Sequence, residues 1–75
     1  MVPVLTFNPA DEVSNELATR IMKSKMLVFL SRVEGFSIRP ELRIRPHDWI
    51  QGVHEIVQYL EDEYKMALPA VRPTQ

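Results

Sequence analysis

The stretch at residues 48–64, DWIQGVHEIVQYLEDEY, decides how the rest of the chain is read. Trp49, Val53, Ile56, Val57, Leu60 and Tyr64 fall at offsets 0, 4, 7, 8, 11 and 15, which is one stripe of an α-helix. Gln51, Glu55, Gln58, Asp62 and Lys65 hold the opposite face. Asp48 can accept from the free amides of a first turn and so suits the capping position. The spacing predicts a single helix over 48–64, about 25 Å long, with Trp49 in its buried stripe. Gly52 inside that helix costs about 1 kcal/mol relative to alanine. It would also let a second copy of the helix come close, so a homodimer is one expected assembly. A stripe of this length needs a sheet to bury against, and the preceding residues must supply it.

Outward from this stretch, residues 2–7 (VPVLTF) carry β-branched and aromatic side chains, with Pro3 near the start of an expected strand. Asn8-Pro9-Ala10-Asp11 opens a helix, with Asn8 as the cap and Pro9 at the first helical position. Ala10, Val13, Leu17, Ala18 and Ile21 mark its stripe as far as Lys23. Residues 26–33 (MLVFLSRV) begin apolar at both parities, which fits a central strand buried on both faces. Met22, Met26, Phe29, Leu30 and Val33 also have helical spacing, so a longer first helix is the competing reading. The short LVFL run and the nearby Gly35 favour the strand.

Glu34-Gly35-Phe36 reads as a turn. Residues 37–45 (SIRPELRIR) then alternate, with Ile38, Leu42 and Ile44 on one side and Arg39, Glu41, Arg43 and Arg45 on the other. That is a half-buried strand with a charged outer face, placed at an edge or interrupted by Pro40. The expected fold class is α/β (α+β), a single small domain over 1–65. Its order is β-α-β-β-α, a three-stranded mixed sheet covered by two helices, with a right-handed crossover between the first two strands. Residues 66–75 read as a flexible proline-containing tail.

Cysteine is absent, so disulfides, thiolate metal sites and dithiol redox chemistry are excluded. The longest apolar run, residues 26–30, is far too short to span a bilayer, and no basic stretch precedes an apolar leader. A cytoplasmic location with no membrane partner is the expectation. The net charge of −1 conceals segregation: residues 1–17 carry −3, 18–47 carry +5 and 48–64 carry −5. Such halves neutralise one another within a fold or present a dipolar surface to a partner.

The candidate binding residues are Arg39, Arg43 and Arg45, expected to share one strand face, with Phe36 and Tyr59 as aromatic contacts beside them. A guanidinium pairs with carboxylate or phosphate alike. A nucleic-acid reader interleaves aromatics with its cations, and none occupies this parity. His47 and His54 lie seven apart without a third ligand at metal spacing, so a cap and a surface residue are the plainer reading. Glu61-Asp62-Glu63 has no nucleophile near it in sequence and reads as a solvated helix end. No catalytic residue, metal or cofactor is expected.

Two segments resemble a known family. Ile56-Val57-Gln58-Tyr59-Leu60-Glu61-Asp62-Glu63-Tyr64, followed by Leu68-Pro69, looks like the end of the N-terminal domain of glutathione transferases and stringent-starvation-type proteins. The opening strand and the helix ending Arg20-Ile21-Met22-Lys23-Ser24-Lys25 are similar to the start of that domain. The resemblance covers about half of the chain. It implies a thioredoxin-like fold, with Pro40 at the position of the family's cis-proline before its third strand. Three departures stand out. The interval before Pro40 is too short for the family's middle helix. Gly52-Val53 replaces the Glu-Ser pair that holds the γ-glutamyl group. Asn8-Pro9-Ala10 lacks the catalytic Ser, Tyr or Cys. The resemblance therefore implies a degenerate domain that does not bind glutathione usefully. The expected function is a non-catalytic interaction or regulatory domain whose partner is another protein. Nucleic-acid binding through the basic strand face is the alternative, and a degenerate transferase-like role the second.

Overall fold

The structure, a computed structural model, describes residues 2–36 and 39–69. The chain runs β1 (Val4–Phe7), α1 (Glu12–Lys23), β2 (Phe29–Arg32), β3 (Glu41–Arg45), β4 (Asp48–Gln51) and α2 (Val53–Tyr64). The four strands form one mixed sheet in the order β2-β1-β3-β4. β1 pairs with β2 in parallel and with β3 antiparallel, and β3 pairs antiparallel with β4. The domain is α+β, with two helices.

The expected three-stranded sheet gains a strand because residues 48–64 are not one helix. Asp48–Gln51 turns back from β3 through Pro46-His47 and pairs with it. Gly52 then takes φ 101°, ψ 141°, a conformation open to glycine, and the helix starts at Val53. Trp49, expected in the helical stripe, lies on β4 and is 49% exposed. What remains of the stripe does bury: Ile56 and Leu60 are fully enclosed, with Val53, Val57 and Tyr64 packed beside them.

Two further expectations change. Residues 26–33 do form a strand, but a short one at the edge of the sheet, not its centre. The central strands are β1 and β3, and their facing residues Leu5 and Leu42 have no exposed surface. The first helix starts later than Pro9. Asn8 instead closes a turn, its Oδ1 accepting from the Ala10 amide and its carbonyl from the Asp11 amide, both at 3.0 Å. Asp11 is the cap, accepting from the Ser14 amide at 3.0 Å and the Ser14 hydroxyl at 2.7 Å. This start buries Ser14, Leu17, Ala18 and Ile21 and leaves Val13 exposed. Pro40 is buried immediately before β3 and follows a trans peptide bond, not the cis bond that the family resemblance implies, and its carbonyl accepts from the Gly52 amide at 3.0 Å. Ser37 and Ile38, expected in the strand before Pro40, lie outside the described residues.

Both helices pack on one face of the sheet. Leu5, Phe7 and Leu42 meet Leu17, Ala18, Ile21, Ile56 and Leu60 in a single core. The segment after α2 joins it. Leu68 is buried, its amide donates to Glu61 Oε2 at 2.9 Å, and Arg20 Nε donates to the Pro69 carbonyl at 3.0 Å. Glu61, read from sequence as part of a solvated acidic end, thus holds main chain. Of the expected tail 66–75, the described residues reach 69, and 70–75 lie beyond them.

Replacing Leu60 by Ala should cost about 2–5 kcal/mol, as for a fully enclosed leucine. Leu68→Ala should fall in the same range if the docked segment is part of the cooperative unit. Urea unfolding followed by far-ultraviolet circular dichroism measures both. A Leu68 variant as stable as the parent would mean that residues 66–69 melt independently.

Candidate functional site

Pleating sends alternate side chains of each strand to opposite faces of the sheet. The residues opposite the core therefore form a second surface. Register aligns one row across it: Phe29 beside Val4, Val4 beside Arg43, and Arg43 beside Trp49. A second row runs Ser31, Thr6, Glu41, Gln51. Phe29 is 63% exposed and Trp49 49%. Among the described residues no helix covers this face.

Arg43 is the centre of the first row. Its guanidinium carbon stands 5.2 Å from the centroid of the Trp49 ring, and its Nη2 lies 3.2 Å from Glu41 Oε2. A cation over an indole face is attracted by the ring quadrupole, and stacking fixes both side chains in an exposed place. The result is a preset contact element: a flat aromatic, a planar cation and a carboxylate, on two paired strands.

The three arginines expected on one face are separated. The β3–β4 ladder is irregular between Arg43 and Arg45, and this bulge turns the strand. Arg45 pairs with Asp48 at 2.8 Å and, with Ile44, Tyr59, Glu63 and Tyr64, lines a recess on the α2 side. Arg39 lies at the other end of β3, where its guanidinium and the Glu55 carboxylate converge over Gly52. Phe36 is half-buried at the α1 end, its carbonyl accepting from Asn8 Nδ2 at 3.0 Å. Tyr59 is half-buried against the core beside Arg45. Of the five sequence candidates, Arg43 alone belongs to the open face, and only Arg45 and Tyr59 adjoin each other.

His47 sits in the β3–β4 turn and His54 in the first turn of α2, both exposed. Among the described residues no three His, Asp or Glu side chains converge as a metal site. No helix among them is long and apolar enough to cross a membrane.

No family model, curated protein or solved structure matches the chain.

Trp49 and Phe29 are what sequence reasoning missed. The signal for Trp49 was Gly52, which follows a short segment of strand-forming Trp and Ile and breaks the helical pattern there. Phe29 lay in a run apolar at both parities, which looks the same for a central strand as for an exposed edge.

Two predictions follow from these positions. Gly52→Ala should destabilise the fold by about 1–3 kcal/mol, because a side chain is strained at φ 101°. Its β-carbon would also stand 2.7 Å from Glu55 Oε1 unless that flexible side chain gave way. Chemical denaturation at neutral pH measures the loss. The second concerns Tyr59, whose phenol is held above its ordinary value by burial and by Glu63, with Arg45 opposing. The folded state then keeps the Tyr59 proton more tightly than the unfolded chain. Its contribution is complete below about pH 10, the ordinary tyrosine value. It declines as pH rises through the raised folded value. Tyr59→Phe should flatten this part of the alkaline stability profile; an unchanged slope would assign it to other groups.

Proposed function

We propose that this chain is a non-catalytic protein-binding domain that grips its partner on the open face of the sheet. The observation that carries this reading is the Arg43–Trp49 pair, stacked and exposed beside Val4 and Phe29 on a surface without a cover among the described residues. Tryptophan and arginine with apolar neighbours are the residues that dominate protein interfaces, because they bury large area while keeping directional contacts. The partner is a protein surface offering an apolar patch with a carboxylate placed to compete with Glu41 for Arg43.

The strand order β2-β1-β3-β4 and the packing of both helices on one face support reading the chain as a degenerate thioredoxin-like domain. Gly52-Val53 at the start of α2 and Asn8-Pro9-Ala10 before α1 support a loss of glutathione binding and catalysis in such a domain. On this reading the family's middle helix is missing and the face it would cover has become the contact surface.

Nucleic acid is the second reading, and Trp49 and Phe29 favour it to a degree, since exposed aromatics on a sheet stack bases. Charge favours protein. Arg43 is already paired with Glu41, and Arg45 and Arg39 lie away from the face, so a phosphate chain would meet no row of cations there.

The test compares wild type with Trp49→Ala and Arg43→Glu as immobilised baits. Proteins retained by wild type are identified and then retested one at a time in purified form. A direct partner should lose at least about tenfold in affinity with either variant, the size expected of a central interface residue. In parallel, Trp49 fluorescence is titrated with single-stranded oligonucleotides at about 0.15 M salt, where distant charges are screened. Tight quenching there would give the face to nucleic acid. A partner bound equally by all three baits would move the interface elsewhere.

A further inference from the structure

The edge strand β2 has the means to pair with a second copy of itself. Phe29 donates its amide to the Pro3 carbonyl and Val33 to the Phe7 carbonyl, both at 2.9 Å. The odd-numbered residues of this segment thus turn their main-chain groups toward β1. Those groups alternate in direction along a strand, so the N–H and C=O of Val28, Leu30 and Arg32 point away from the sheet. Among the described residues no strand lies beyond β2. Its flanks are apolar and open: Leu27 is 67% exposed, Phe29 63% and Val33 40%. The usual protections of an edge are missing, since residues 27–33 contain no proline or lysine and Arg32 is their one charge.

We propose that β2 pairs antiparallel with β2 of a second copy, about a two-fold axis through Leu30, to make one continuous sheet. The outward groups select the register. Reciprocal hydrogen-bonded pairs must join residues whose main chains both face the seam. Placing Leu30 opposite Leu30 and Val28 opposite Arg32 uses all of them. The same register sets Leu27 against Val33 and Phe29 against Ser31 on the open face, with Phe29 diagonal to Phe29 of the other copy. Charge agrees with a self-match. Lys25 precedes the strand and Glu34 follows it, and neither makes an ion pair within the chain among the described residues. Antiparallel pairing sets Lys25 of each copy across from Gly35 of the other, one residue from its Glu34, just past the ends of the strand. A two-fold, self-complementary contact of this kind closes at a dimer. It uses the sheet edge far from Trp49, so it does not rest on the function proposed above.

Sedimentation equilibrium of the full chain, from micromolar to about 1 mM, tests this, with folding checked by circular dichroism. Wild type should dimerise. Arg32→Pro removes a donor that points outward and spares the ladder to β1, so it should raise the dimer dissociation constant at least about tenfold. Lys25→Glu should weaken the dimer, and Lys25→Glu with Glu34→Lys should restore it. Trp49→Ala should leave it unchanged. Should Arg32→Pro fail to fold, the charge exchange and amide exchange decide. The Leu30 and Arg32 amides should become protected as concentration rises. A wild type that stays monomeric at about 1 mM overturns the proposal. So does a dimer indifferent to the charge exchange, or concentration-dependent protection that appears in β4 instead.

Discussion

Gly52 holds φ 101°, ψ 141°, and its amide donates to the Pro40 carbonyl at 3.0 Å. These two facts set the course of the chain after residue 40. The bond ties the end of β4 to the start of β3, which closes the hairpin at its open end. The dihedral angles then swing the next residue off the sheet plane, so that α2 crosses back over the core face. An L-residue in this conformation is strained. A helix continued through this point would have left β3 as an edge strand without the β4 ladder.

The buried apolar residues gather on one side of the sheet. Leu5, Phe7 and Leu42 meet both helices, and the core is completed by Met26 and Leu68 from loops. In a domain this small the buried fraction is low, and two layers are what the apolar residues can fill. The opposite face is therefore left to Val4, Thr6, Glu41, Arg43 and Trp49, a mixture that water tolerates and a partner can use. The exposed aromatics are a consequence of this one-sided layering.

Much of this was legible in the residues. The inward parity of Leu42 and Ile44 follows from alternation, and the stripe of Ile56, Val57 and Leu60 from helical spacing. The start of α1 was not, because Asn8-Pro9 satisfies the rules for a cap and for a turn equally well. Tertiary contact decided: Asn8 Nδ2 reaches the Phe36 carbonyl, twenty-eight residues away, and holds the turn. The contact site was read less well than the fold. Strict alternation put Arg43 and Arg45 together, and a bulge, which has no sequence signature here, parted them. Trp49 fitted the helical stripe at its first offset and so was counted as core. One left-handed glycine separates those two readings.

The contact between Arg20 and Pro69 joins residues 49 positions apart in the chain. Together with the Leu68 amide on Glu61, it closes the core from the far end of the described chain. Contacts of long sequence separation form late, since the entropy of closing the intervening chain must be met before they return anything. The sheet repeats the pattern: β1, near the start, has β3 as its central neighbour, and β3 comes only after α1 and β2. During synthesis, which proceeds from the N-terminus at about 5–20 residues per second, β1 and α1 emerge before most of their partners exist. Their apolar faces wait for β3, α2 and the Leu68 segment, which follow over the next seconds.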